Sequence, residues 1–180
     1  VVMSEIYLGN PNLKKANTQI QFSAEQIEEF LKCKNNPVYF AQKYVKIVSL
    51  DEGLVPFQPY KFQEKLIKRF HKNRFNICKM PRQTGKSTTV VSYLLHYAVF
   101  NDSVNIGILA NKAATARELL GRLQTAYENL PKWMQQGVLV WNRGSLELEN
   151  GSKILAASTS ASAVRGMSFN ILFLDEFAFV

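Results

Sequence analysis

The stretch Met80-Pro81-Arg82-Gln83-Thr84-Gly85-Lys86-Ser87 follows a short apolar-rich run and precedes a helical pattern. It fits the phosphate-loop pattern G-x-x-x-x-G-K-[ST] except at its first position, where Met80 stands in place of glycine. In such a loop, backbone N–H groups and the positive end of the following helix hold phosphate oxygens. The Lys86 ammonium would neutralise charge near the β- and γ-phosphates, and the Ser87 hydroxyl can bind Mg²⁺. The stretch therefore predicts nucleotide binding, and an ordinary strand–turn–helix connection is the alternative.

A second motif lies near the end of the chain, where the apolar run Ile171-Leu172-Phe173-Leu174 is followed by Asp175 and Glu176. An aspartate at a buried strand end can support a metal ion, and the next glutamate can take a proton from an attacking water. A helix N-cap followed by a first-turn acid gives the same pattern, so the pair alone is a weak signal. Together with the phosphate loop, it predicts hydrolysis of a nucleoside triphosphate.

From Arg74 onward, strand and helix patterns alternate, which predicts an α/β fold with a mostly parallel sheet core. Asn150-Gly151 between two short runs is the strongest hairpin signal in the chain. The run at 171–174 is apolar throughout, as expected for a parallel strand covered on both faces. The predicted strands are 75–80, 104–110, 146–149, 153–157 and 171–174, and the predicted helices are 85–100 and a segment from its N-cap Asn111 to Pro131.

The N-terminal part has a different pattern, and a boundary is predicted near residues 53–60. Residues 1–22 show no periodicity and predict an extended, partly mobile arm. Ser23 and Gln26 form a capping box that opens one helix, and Asn36 can cap a second helix with Pro37 at its first position. The predicted organisation is an arm and helical segment at 1–57, followed by the phosphate-loop core at 58–180, which begins with a helix at about 60–72.

Composition limits the possible functions. The 180 residues are 47% hydrophobic and 20% charged, which excludes a disordered tail and fits about one domain. No apolar run approaches the ~20 residues of a membrane span, and the two cysteines, Cys33 and Cys78, predict reduced thiols. The net charge is +8, and residues 60–90 hold nine basic side chains but only one acidic side chain, Glu64. This local field attracts phosphates, either of a nucleotide or of a nucleic-acid backbone.

Three further polar residues are candidates for the site. Arg82 lies inside the loop, and Arg165 stands ten residues before Asp175; either guanidinium could stabilise charge on the transferred phosphoryl group. The alternative for Arg165 is a structural ion pair in a turn. Gln63 could recognise the adenine edge with its amide donor and acceptor, but by itself it would be an exposed helical residue.

These motifs resemble the ATPase domain of the large terminase subunit, the DNA-packaging motor of tailed phages, especially those with contractile tails. A phosphate loop that lacks the first glycine and carries Arg-Gln inside is much more specific than the general pattern. The resemblance runs from about residue 36 to residue 180. Its segments are Pro37-Val38-Tyr39-Phe40, the Gln63 segment, Pro81–Ser87, Leu109-Ala110-Asn111-Lys112, Asn142-Arg143-Gly144-Ser145, Val164-Arg165-Gly166 and Leu174-Asp175-Glu176-Phe177-Ala178.

The resemblance implies a P-loop ATPase of the additional-strand catalytic glutamate type, with ATP and Mg²⁺ as ligands. It implies that Glu176 is the catalytic base, that Arg82 acts as an arginine finger in cis or Arg165 in trans, and that Ser87 and Asp175 hold the metal. The implied nucleotide-binding residues are Gln63, Arg82, Gln83, Thr84, Gly85, Lys86, Ser87 and Thr88. In sheets of this type, a strand carrying a coupling motif lies between the phosphate-loop strand and the Asp175 strand.

The resemblance also implies the setting in which such a protein works. The expected partners are double-stranded DNA, a portal ring, a small terminase subunit and further copies of the chain in a pentamer, with no membrane. The expected location is the host cytoplasm, at the procapsid portal. The coupling motif and a C-terminal nuclease domain are not found in the sequence, so we expect a fragment without nuclease activity. The alternatives are a helicase-like nucleic-acid-dependent ATPase and a non-hydrolytic nucleotide-sensing DNA-binding module.

Overall fold

The described elements form two small two-stranded sheets in the N-terminal half of the chain and one larger sheet in the C-terminal half. A computed structural model describes residues 6–49 and 51–176. The elements in chain order are β1 (Ile6–Tyr7), β2 (Asn10–Lys14), α1 (Ala24–Asn35), α2 (Pro37–Tyr44), β3 (Lys46–Ser49), β4 (Gly53–Pro56), α3 (Lys61–Lys72), α4 (Lys86–Phe100), β5 (Asn105–Ala110), α5 (Ala113–Glu128), β6 (Val138–Trp141), β7 (Ser145–Leu148), β8 (Lys153–Ser158) and β9 (Ile171–Leu174).

A five-stranded sheet in the order β6-β7-β8-β5-β9 forms the centre of the fold. The strands β8, β5 and β9 are parallel, with Ile106 opposite both Ile154 and Ile171, whereas β6 and β7 pair antiparallel. The hairpin predicted at Asn150-Gly151 is confirmed, and Gly151 takes the left-handed conformation with φ +82°. The α/β class is therefore confirmed, and the sheet is mixed because a hairpin extends its parallel part.

Helix α4 is buried on nearly all sides after its first turn, and the polar Ser92 and His96 are buried along with its apolar residues. Its buried residues include Leu94, Leu95, Ala98 and Val99, and it packs against α2, α3 and α5. Helix α5 in turn covers β5 and β8. No helix within 6–49 or 51–176 is long and apolar enough to cross a membrane.

The predicted strand at 75–80 is wrong. This segment is extended but pairs with no strand in the described part of the chain, and Phe75 and Ile77 are 82% and 96% exposed. A strand needs a neighbour to satisfy its backbone groups, and here the described sheet ends at β9. The expectation that β9 is covered on both faces is also wrong, because Leu172 on one face of the strand is 48% exposed.

Residues 6–17 of the predicted arm are extended and pack against the rest of the chain, and the partial mobility of the arm stays a prediction. Strands β1 and β2 form a hairpin, and Leu13 is 1% exposed. The Lys14 N–H donates to Gln135 Oε1 at 3.0 Å, and the Asn17 N–H donates to Glu149 Oε2 at 2.8 Å. These contacts join the arm to segments more than 100 residues away, which no local pattern can indicate.

The local helix signals in the N-terminal part are confirmed. The Gln26 N–H donates to Ser23 Oγ and the Ser23 N–H to Gln26 Oε1, which completes the capping box. Asn36 caps α2 through the Tyr39 N–H. Asn111, by contrast, does not cap α5, whose N-cap is Lys112 without a side-chain bond. Residues from both sides of the predicted boundary belong to one buried cluster, and the division at residue 57 stays a prediction.

Candidate nucleotide-binding site

The loop before α4 is tightly folded and closed by its own side chains. Gln83 and Gly85 have φ values of +60° and +72°, so the chain turns through two left-handed positions before the helix begins. Thr84 Oγ1 donates to the Pro81 carbonyl at 3.0 Å, and Lys86 Nζ donates to the Met80 carbonyl at 3.2 Å. The result is a curved backbone that ends at the N-terminus of a 15-residue helix, the arrangement suited to an anion.

Gly85 is required at its position for two independent reasons. As the N-cap of α4 it is in the left-handed conformation, which strains any residue with a Cβ. A Cβ added there would also lie 2.5 Å from Gln63 Nε2. The glycine therefore permits both the turn and the close approach of helix α3.

Gln63 is buried, with 4% of its surface exposed, so the alternative of an exposed helical residue is excluded. Its Oε1 accepts a hydrogen bond from the Tyr60 N–H at 2.8 Å. Its Nε2 donates to the carbonyls of Gly85 and Thr84 at 3.4 and 3.5 Å. The amide thus connects the start of α3 to the phosphate loop, and its predicted contact with adenine stays a prediction.

Two aromatic residues beside Gln63 were not among the sequence candidates. The rings of Tyr60 and Phe62 stack with centroids 5.9 Å apart, and they are 70% and 42% exposed. Exposed aromatic faces beside a polar amide are suited to stacking a flat heterocycle. The sequence signal that could have found them is the pair of aromatics immediately before Gln63.

The acidic pair lies where β9 ends. The Asp175 N–H donates to the Leu109 carbonyl at 2.8 Å, which extends the β5–β9 ladder by one residue. Glu176 follows in a left-handed conformation with φ +50° and is exposed. Because β5, β8 and β9 are parallel, both carboxylates lie at the carboxyl edge of this part of the sheet. Phe177 and Ala178, which complete the motif, lie outside the described residues.

The direction of α4 relates the loop to that edge. Asn150 Nδ2, in the turn before β8, donates to the carbonyls of Ala98 and Asn101 at 2.9 and 3.1 Å, so α4 ends at the amino edge of the parallel strands. The first turn of α4, with Lys86 and Ser87, therefore points away from the amino edge. No hydrogen bond or ion pair joins the loop to the acidic pair within residues 6–49 and 51–176.

The two candidate arginines occupy different loops. Arg82 is exposed in the phosphate loop, and Arg165 is exposed at the end of a single 3-10 turn, Ser162–Val164, between β8 and β9. In the described part of the chain, neither guanidinium forms an ion pair. A structural ion pair, the alternative role for Arg165, is therefore absent among the described residues.

The candidate metal ligands come from two separate elements. Ser87 and Thr88 are half-buried in the first turn of α4, and Asp175 is half-buried at the end of β9. The described ranges contain no group of three or more His, Cys, Asp or Glu side chains that could hold a metal alone. A hydroxyl and a carboxylate are hard oxygen donors, which fit Mg²⁺ when nucleotide phosphates supply further ligands.

Comparison with known proteins places the chain in a family. Residues 77–180 match the family described as terminase large subunit, T4likevirus-type, N-terminal. The chain is also similar to the crystal structure of the large terminase of bacteriophage HK97, with a TM-score of 0.65 and 18% identity. That similarity covers 78% of this chain and 30% of the other, and at this identity it shows a shared fold. Because the family match covers more than half of the chain, the protein belongs to the T4likevirus-type large terminase subunit family, whose N-terminal part it matches.

Proposed function

We propose that the protein is an ATP-hydrolysing subunit of a viral motor that moves double-stranded DNA into a procapsid. The observation that carries the proposal is the phosphate loop, because Met80–Ser87 lies inside the range that matches the terminase family. The loop ends at a left-handed Gly85 that begins a long helix. Helix N-termini of this kind bind phosphate through free N–H groups and the helix dipole.

Lys86 is the residue we expect to bind the nucleotide phosphates most strongly. Its ammonium lies 3.2 Å from the Met80 carbonyl, so the side chain folds back over the loop. The Met80 carbonyl is neutral, whereas a phosphate carries negative charge that attracts the ammonium directly. A phosphate in the loop would therefore draw Lys86 away from the carbonyl, while Gln83, Thr84, Gly85, Ser87 and Thr88 would supply backbone and hydroxyl donors.

The adenine would lie against the start of α3. Tyr60 and Phe62 offer an exposed stacked pair of rings, and Gln63, the residue after Phe62, donates a hydrogen bond to the loop. Recognition of adenine by Gln63 would require its amide to exchange a contact with Tyr60 or the loop for one with the base. Nucleotide binding would then change how α3 is joined to the loop.

Hydrolysis requires a base, a metal ligand and a cation. Glu176 is exposed and would accept the proton of the attacking water, and Asp175 together with Ser87 would hold Mg²⁺. When bound, Mg²⁺ would neutralise charge on the phosphates. Arg82 could contact the γ-phosphate of its own loop, whereas Arg165, exposed and without an ion pair in the described residues, is free to reach a neighbouring subunit.

The partners follow from the family rather than from the site. Large terminases act with DNA, a portal ring and a small terminase subunit, and we propose the same partners here, at the procapsid portal in the host cell. A ring of copies of the chain, a pentamer in this family, would place Arg165 of one subunit near the nucleotide of the next. Because the chain spans 30% of the length of the solved relative, translocation is proposed for the whole motor.

The test is ATP turnover by the protein with and without double-stranded DNA, measured beside Glu176→Gln and Lys86→Ala. We expect Glu176→Gln to bind ATP without hydrolysing it and Lys86→Ala to lose ATP binding. Lys34→Ala, an exposed cation on α1, is the matched control and should behave like the unaltered protein. Turnover by Glu176→Gln at the unaltered rate would rule out the base assignment.

The same measurements separate the two alternative functions. ATP affinity without turnover in the presence of DNA would favour a non-hydrolytic nucleotide-sensing DNA-binding module. DNA-stimulated turnover accompanied by strand separation of a duplex would favour a helicase-like ATPase. DNA-stimulated turnover that leaves the duplex intact supports the packaging motor.

A further inference from the structure

The exposed side of helix α3 carries a continuous row of cations. We name it the basic stripe, and its members are Lys61, Lys65, Lys68, Arg69 and Lys72. At 100° per residue, all five fall within an arc of about 100° along the whole helix. The opposite side of α3 carries the buried Gln63 and Ile67, which fix the rotation of the helix, and all five cations are exposed. The burial of Gln63 and Ile67 therefore turns the basic stripe toward solvent.

The basic stripe has no counter-charge in the described part of the chain. None of its five residues forms an ion pair within 6–49 and 51–176. Glu64, the only acidic residue of the helix, is turned toward α2, where it accepts a hydrogen bond from Gln42 Nε2 at 2.9 Å. The cations that do form ion pairs lie on other elements: Lys14, Lys43, Arg122 and Lys153.

A groove beside α3 extends the positive charge toward the phosphate loop. Lys65 and Arg69 line it from the helix, and Lys79 lines it from the extended segment before Met80. Phe62 and Ile77 form its apolar walls. The cations thus continue from the helix to the residue directly before the loop.

We propose that the basic stripe binds the phosphate backbone of double-stranded DNA. The stripe is about 16 Å long at 1.5 Å per residue. DNA carries one phosphate per 3.4 Å on each strand, so about five phosphates of one strand span this length. An extended line of five cations matches such a row, whereas a nucleotide triphosphate presents its charge at one point. The inference rests on the proposed function for the choice of DNA as the polymer.

The test is equilibrium binding of a fluorescent 20-base-pair duplex to the protein, without ATP, over a range of salt concentrations. The stripe variant is Lys65→Gln, Lys68→Gln, Lys72→Gln. The control is Lys15→Gln, Lys34→Gln, Lys46→Gln, which removes the same charge from exposed positions outside α3. Loss of three phosphate contacts should make the negative slope of log K against log salt shallower by about 2.7. If both proteins bind equally at about 1 M salt, binding at about 0.1 M salt should then be weaker by roughly 500-fold. The control should keep the slope of the unaltered protein.

Two results would overturn the inference. Equal weakening by the stripe and control variants would mean that net charge alone attracts DNA, and unchanged binding would exclude the stripe directly. Lys68→Gln alone, at an exposed position, gives the same test with a smaller slope change of about 0.9 if the triple variant does not fold. Because the DNA-binding measurement contains no ATP, it can be interpreted even if the proposed hydrolysis fails. The basal ATP turnover of the stripe variant should be unchanged.

Discussion

The contact between Gly85 and Gln63 gives a prediction with a magnitude, for the substitution Gly85→Ala. Alanine at φ +72° costs about 1–2 kcal/mol. Its Cβ would lie 2.5 Å from Gln63 Nε2 and displace the amide. Displacement also breaks the 2.8 Å bond from the Tyr60 N–H, which contributes about 1 kcal/mol. We therefore expect Gly85→Ala to lower the free energy of unfolding by about 2–3 kcal/mol.

The assay is urea unfolding followed by circular dichroism, arranged as a double-mutant cycle with Gln63→Ala. Without the Gln63 amide, only the backbone cost remains, so Gly85→Ala should then cost about 1–2 kcal/mol. The difference between the two backgrounds, about 1 kcal/mol, measures the contact itself.

Gly121→Ala is the matched control, because Gly121 lies inside α5, takes no left-handed conformation and has open space where a Cβ would stand. There alanine should stabilise the protein by about 0.5–1 kcal/mol through its higher helix propensity. If Gly85→Ala stabilises the protein as Gly121→Ala does, the reasoning about the loop is refuted. Equal costs of Gly85→Ala in both backgrounds would show that Gln63 does not contact the loop.

Three further predictions concern stability and pH. Burial lowers the pKa of His96 to about 4, so the free energy of unfolding should fall by on the order of 3 kcal/mol as pH drops from 6.5 to 4. Urea unfolding of His96→Leu should not show this dependence on pH. The hydrogen bond from Lys43 is the main cause that lowers the pKa of Glu29 to about 2. The free energy of unfolding should therefore fall further as pH drops from 4.5 to 2, and this fall should be smaller in Glu29→Gln. Glu149 accepts from the Gly137 N–H at 2.7 Å, so Glu149→Gln should lower the melting temperature, and an unchanged melting temperature would contradict this role.

The predictions that failed share a physical cause. The strand at 75–80 has a suitable sequence, but strand formation depends on a partner, and none lies beside it in the described residues. The contacts of the arm, such as Asn17 with Glu149, join residues far apart in sequence, so no local pattern indicates them. The burial of Gln63 is likewise decided by packing, because helical position alone does not show which side faces the phosphate loop.

The sequence by itself determined the local features. The capping box at Ser23, the cap at Asn36, the Asn150-Gly151 hairpin and the Met80–Ser87 loop all depend on hydrogen bonds or conformations within a few residues. Such interactions join residues only a few positions apart, so a sequence pattern can indicate them without the rest of the chain. The family itself was recognisable from the same motifs.

Only the tertiary structure decided which groups meet and which remain free. The Gln63 amide contacts the loop because α3 packs beside α4. Glu64 bonds to Gln42 on a neighbouring helix, so among the described residues the basic stripe has no counter-charge. The order of the sheet, with β9 at the side away from the hairpin, follows from long-range pairing. These outcomes depend on distances between segments that are remote in sequence, and no short pattern of residues contains that information.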